Sequence, residues 1–466
     1  MQSAVGVVGP APGSSIGLRQ GAELFCFSHA GTTDDVAGSV PATATARAQP
    51  RTHWLPDTAQ LVGALDCSER SSDCSSCLMA GCFAAPRGVR VLARVAPAGP
   101  IEIASAAMAI AAPMPVSSNQ RRMPLTILLW MTSPLRLSVL DQSPIAQGSS
   151  GAQALRNTID LAQLADRLGY HRYWVAEHHG GPMLAGPSPE ALIGPIAAAT
   201  ERIRVGSGGV MLPHYSPLKV AETFSVLAGL FGGRIDLGLG RAAGTDPLTT
   251  FALQRDRRQA APDDFPQQLA ELLGYLQDQL PPDHPFAGLA RTLPGLPEQP
   301  EPWLLGSSQQ SALWAAELGL PYAFADFINP KGAEIAALYR ERFAEHEHAG
   351  RHSRTAVAVW VICAETDEEA QRIAASGRMA FTLLRRGQLI SVPPPEQALE
   401  FLAADESSGA PRSERRAVLG SPAKAAEQLR EVVELYGAEE AIVVCITYDH
   451  GARRRSYELL AEAFEL

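Results

Sequence analysis

Lysine is nearly missing from this chain. Only Lys219, Lys331 and Lys424 occur, although lysine and arginine together number 39 in 466 residues. A phosphate held by this protein therefore rests on arginine, backbone amides or hydroxyls rather than on a lysine cradle. Long apolar runs are missing too. IASAAMAIAAPMPV (103–116) and LTILLWM (125–131) both fall short of the roughly 18 uninterrupted apolar residues that a span requires. Neither sits at the N-terminus behind a basic flank, so neither reads as a secretory signal, and a cytoplasmic protein is expected. Positive charge is in deficit, with a formal net charge of −10, which argues against nucleic acid or an anionic membrane as partner. After residue 123 only Cys363 and Cys445 remain, both in apolar strand-like runs, which excludes a disulfide scaffold there.

What is present divides into two regions. Residues 1–122 are rich in Ala, Gly, Ser, Pro and Thr and show no sustained period of 2 or 3.6, so they read as a low-complexity, disordered extension. An upstream mis-assigned start is the alternative, with Met123 or Met131 as the first residue. The C-x6-C-x2-C-x4-C spacing from Cys67 to Cys82 has no histidine among it and little core around it, and no metal is expected there.

From Leu135 the pattern changes, and 123–466 reads as one domain. Short apolar runs alternate with amphipathic stretches eight times, from LRLSVLD (135–141) and RYWVAE (172–177) to AVAVWVICA (356–364) and AIVVCIT (441–447). Strands that are apolar throughout suit a parallel sheet covered by helices. Eight such units, with no G-x-G-x-x-G opening the first helix, predict an α/β fold of the (β/α)8 TIM-barrel type. A doubly wound open sheet is the alternative. Insertions are expected near 245–300 and 377–420.

In such a barrel the chemistry collects at the C-terminal ends of the strands. The residues there include Asp141 and Gln142, then Glu177, His178 and His179, then Gly208 and Gly209. Gly240 and Arg241 follow, with Gly306, Ser307 and Ser308 next and Asp326 after them. Gly306, Ser307, Ser308 and Ser311 stand where a strand runs into a helix, whose free amides and dipole favour an anion. Arg241 offers a guanidinium that suits phosphate. The simpler reading of these groups is a helix cap and a surface ion pair. For Glu177, His178 and His179 it is a hydrogen-bonded core cluster. Neighbours in an extended chain face opposite ways, so one histidine is expected to serve the site and one to be structural. A metal-dependent hydrolase would need further ligands, for which only Asp141 and Asp326 are candidates, and no metal is expected.

The segments WVAEHH, LAGPSPEALIGPIAAATERIRVGSGGVMLPHYSPLKVAE, GRIDLGLGRAAGTD and PWLLGSSQQSALWAAELGLPYAFA together resemble the luciferase-like monooxygenases, the flavin-dependent family of bacterial luciferase. The likeness extends from about residue 135 to 464, and YDHGARRRSYELL resembles a subgroup with an LGLGRAPG-like motif. The resemblance implies a monooxygenase in which reduced FMN, supplied by a separate NAD(P)H-flavin reductase, and O2 form a C4a-hydroperoxide that oxygenates a small organic substrate. It places catalysis at His178, the flavin ring over a cis Gly208–Gly209 peptide, and the phosphate at Arg241, Ser308 and Ser311; Glu177 is expected to support His178, and Gly306 and Ser307 to complete the anion site. A homodimer is also implied. Gly240 and Gly244 stand where luciferase has a cysteine and a tyrosine, so light emission is not carried over. Two alternatives keep the scaffold: hydride transfer with the deazaflavin coenzyme F420, and non-catalytic flavin binding. His214, Tyr215 and Phe251 either line a substrate pocket or are ordinary packing.

Overall fold

The computed structural model describes residues 135–466 apart from 243, 260–262, 347, 349 and 408–415. The extension over 1–122, its cysteine spacing and the starts at Met123 and Met131 lie outside the described residues.

The chain alternates from β1 (Arg136–Asp141) through α1 (Gly151–Leu168), β2 (Arg172–Val175), α2 (Pro189–Ala198), β3 (Arg204–Met211) and α3 (Pro217–Leu230) to β4 (Ile235–Gly240). An insertion carrying α4 (Pro247–Leu253) and α5 (Phe265–Gln277) precedes β5 (Glu301–Gly306), α6 (Gln309–Glu317), β6 (Tyr322–Ala325), α7 (Ala333–Glu345) and β7 (Thr355–Cys363). The second insertion brings α8 (Asp367–Arg385), α9 (Pro395–Ser407) and β8 (Ala417–Gly420) before α10 (Pro422–Tyr436), β9 (Glu440–Val444) and α11 (His450–Phe464).

β1 to β7 pair in sequence order, β7 pairs with β9, and β9 returns to β1, all in parallel, so eight strands close a (β/α)8 barrel. β8 was not expected. It pairs with Trp360–Cys363 of β7, beyond the Thr355–Ala358 stretch that β6 occupies. α11 begins at His450. Its first turns are an arginine run without an apolar face, and Asp449 makes the start by accepting from the Ala452 N–H at 2.7 Å.

Two cores hold the barrel. The larger lies between sheet and helices, and the smaller fills the barrel interior. Trp174 and Trp303 meet edge to face there, with centroids 5.4 Å apart, and fit because Ala323, Ala356 and Ala358 face them. Arg172, fully buried, sits at the N-terminal floor and donates to Glu440 at 2.9 Å, Asp236 at 2.8 Å and Glu301 at 3.2 Å. Its guanidinium also lies 4.5 Å from the Trp303 ring. The floor is thus sealed by charge pairing, which leaves the other end of the barrel for a ligand. Among the described residues no helix is long and apolar enough to cross a membrane.

Candidate active site

β1 and β2 deliver their end residues to different tasks. Asp141 is buried and accepts from Arg453 of α11 at 2.6 Å, from the Tyr173 phenol at 2.5 Å and from the Ser143 N–H at 2.6 Å. Burial alone would raise its carboxyl, but Arg453 and these hydrogen bonds hold it below the usual carboxylate range. Asp141 is therefore a tie between β1 and α11.

Glu177 is also fully buried. One carboxylate oxygen lies 2.8 Å from His179 Nε2 and the other accepts from the Met211 N–H at 2.9 Å. The Tyr215 phenol hydrogen-bonds to the same carboxylate, and burial, reinforced by Glu177, pushes that phenol up. His214 stacks edge-on to His179 at 5.7 Å. Ligand atoms of Glu177, His179 and His214 lie within 4.8 Å of one another, but the carboxylate already accepts from several donors, and a cation would have to displace them. The cluster acts as a brace between the ends of β2 and β3. His214 and Tyr215 were expected as pocket lining or packing; their link to Glu177 was not legible because 37 and 38 residues of chain separate them from it.

His178 takes no part in that brace. Its N–H donates to Gly186 O at 2.9 Å, while the ring Nδ1 is buried with no hydrogen-bond partner. Burial pushes the imidazole down to about 4, with His179 adding to the effect. The ring is neutral at pH 7, with a nitrogen available to whatever occupies the site. The peptide joining Gly208 to Gly209 is cis. A Cβ on Gly209 would lie 2.7 Å from Gly238 O, so the two strands leave no room for a side chain. Gly244, already set apart as a departure from luciferase, has φ +64, and a Cβ there would lie 2.9 Å from Glu177 O, so a side chain has no space.

On the other side of the mouth, Ser308 opens α6 by accepting from the Ser311 N–H at 3.4 Å. Ser311 is committed inward: its hydroxyl bonds Ser308 O at 2.8 Å and the Tyr322 phenol at 2.9 Å. A side chain at Gly306 would collide with that hydroxyl. Asn329 donates to Ser307 O at 3.0 Å and steadies the turn. Of these groups Ser307, Ser308 and the first amides of α6 suit an anion best. Arg241 lies over Trp314 of α6 at 5.7 Å and pairs with Asp263 at 2.7 Å. Asp263 was not foreseen.

The roof comes from the second insertion. Phe381 of α8 packs on Trp360 of β7 at 4.1 Å, and Met183, Val392 and Ile446 join the apolar cluster. Phe251, expected either as pocket lining or as packing, stands 45% exposed on α4. No motif marked the roof residues, and their apolar spacing reads equally as core.

The luciferase-like monooxygenase family matches residues 135–439. YwcH of Bacillus subtilis is 47% identical over 336 residues, covering 70% of this chain and 98% of that protein. The luciferase-like monooxygenase of Escherichia coli is 39% identical, covering 71% and 97%. The N-acetyl-S-alkylcysteine monooxygenase of Bacillus subtilis is 38% identical, covering 71% and 98%. Among solved structures, apo-MsnO8 is 43% identical with a TM-score of 0.64, covering 72% of this chain and 98% of its own.

Proposed function

Since the chain belongs to the luciferase-like monooxygenase family, we propose that it is a flavin-dependent monooxygenase that uses reduced FMN, delivered by a separate NAD(P)H-flavin reductase, to oxygenate a small organic substrate. The observation that carries this reading is the pairing, at one barrel mouth, of an anion-suited helix end, with Arg241 over Trp314 of the same helix, and an imidazole whose buried Nδ1 has no protein partner. That donor set fits a phosphorylated flavin.

Bound reduced flavin would supply two electrons, so that O2 places one oxygen atom in the product and the other in water. The residues of this chain then have separate roles. Ser307, Ser308, the first amides of α6 and Arg241 hold the phosphate. Gly208 and Gly209 allow close approach of a flat ring. His178 holds or accepts a proton at Nδ1 beside the reacting atoms, and Glu177 positions it by fixing the adjacent backbone. The apolar roof around Phe381 and Trp360 excludes water. An N-acetyl-S-alkylcysteine is the first substrate to try, because a relative named for that substrate is 38% identical.

The test is anaerobic binding of reduced FMN followed by mixing with O2. Arg241→Ala should weaken binding at least tenfold, about 1.4 kcal/mol. His178→Ala should keep the binding and lose substrate oxygenation. Unchanged affinity in the first variant removes Arg241 from the phosphate site. Unchanged turnover in the second removes His178 from the chemistry.

A further inference from the structure

We propose that Asp263 is a built-in competitor for the flavin phosphate: its carboxylate holds Arg241 until phosphate displaces it, so this residue sets the preference for phosphorylated over unphosphorylated flavin. The proposal rests on the reading of Arg241 and the α6 N-terminus as the phosphate site.

The pair is placed by packing rather than by chance contact. Phe265, the first residue of α5, is 2% exposed and stacks on Trp314 at 5.3 Å. Arg241 lies over that same indole at 5.7 Å. One side chain of α6 therefore positions both the guanidinium and the start of α5, and Asp263, two residues before Phe265, is brought to 2.7 Å from Arg241 Nη2. Trp314 lies six residues after Ser308, a rise of about 9 Å, within the reach of an arginine that can turn toward the helix start.

The geometry is that of a competitor rather than of an orienting partner. Only Nη2 of Arg241 touches the carboxylate, which leaves the fork of the guanidinium unused. Arg241 is 50% exposed and Asp263 71% exposed, so the two can part without burying an unpaired charge. A phosphate dianion at the α6 amides offers Arg241 a larger charge and two oxygens. Once flavin leaves, the carboxylate retakes the arginine, which suits a chain that receives and returns its flavin in every turnover.

The experiment measures anaerobic affinity for reduced FMN and reduced riboflavin in the wild type, Asp263→Asn, Arg241→Ala and the double variant. Asp263→Asn should tighten FMN about two- to fivefold, the value of one exposed ion pair, and leave riboflavin unchanged. In the Arg241→Ala background the same change should have no effect. FMN affinity that is unaltered or lowered in both Asp263→Asn and Asp263→Ser, while Arg241→Ala still weakens it, overturns the competitor and leaves the phosphate reading standing. FMN affinity that is unaltered in Arg241→Ala overturns both.

Discussion

A histidine whose ring nitrogen is enclosed without a partner makes the fold sensitive to acid. His178 is pushed down to about 4 by burial, whereas an unfolded histidine titrates near 6.5. Between those values the unfolded chain binds the extra proton, so stability rises with pH across that window and is fully regained above it. His178→Asn, which cannot titrate, should flatten the slope of stability from about pH 4 to 6.5, a change of about 1–3 kcal/mol across the window. Urea midpoints measured at several pH values would read it, and a slope equal to that of the wild type would mean that His178 is not the group responsible. The sequence marked the same residue as one of an adjacent pair, one member of which was expected to serve the site. Its separation from the Glu177–His179 brace follows from the alternation of an extended chain, but which ring lacked a partner required the coordinates.

At the scale of elements, the roof is the part with the most to lose from a single truncation. Phe381 is 4% exposed and stacks on Trp360 at 4.1 Å. Phe381→Ala should cost about 3–5 kcal/mol of stability. It should also admit water over the site, so that reduced FMN is oxidised with more hydrogen peroxide and less oxygenated product. Peroxide yield per flavin oxidised is the measurement, and a yield equal to that of the wild type would show that α8 does not seal the site. The eight barrel strands were legible because a doubly covered strand is apolar along its whole length. β8 was not, because AVLG is four residues beside a polar stretch and gains its place only from the edge of β7 left open by β6. α4 and α9 escaped for a related reason. They lie in insertions that serve the mouth, where local pattern carries little of the burial signal that marks the barrel.

The barrel as a whole separates a charged floor from a mouth that carries the candidate site. Arg172 answers three carboxylates at the floor, and Arg204 and Arg354 share the load with it. Removing the central charge leaves buried Glu440 without its arginine and Asp236 with Arg204 and the Trp174 indole, so Arg172→Ala should lose about 3–5 kcal/mol. Affinity for reduced FMN should be unchanged at temperatures where the variant is folded; a large loss of affinity would show that floor and mouth are coupled. Burial would raise the Glu301 carboxyl, but Arg354, Arg172 and Arg204 hold it down to about 2. Its contribution is complete above the ordinary carboxylate value and is lost only as pH falls toward 2.

Trp314 gives this architecture an optical handle. Its indole carries Arg241 on one contact and Phe265 on another, while Trp174 and Trp303 lie sealed in the barrel interior. Movement of Arg241 toward a phosphate removes a cation from one indole and leaves the interior pair untouched. The emission of Trp314, taken as the difference between the wild type and Trp314→Phe, should therefore report occupancy of the anion site, even with a ligand such as inorganic phosphate that has no colour of its own.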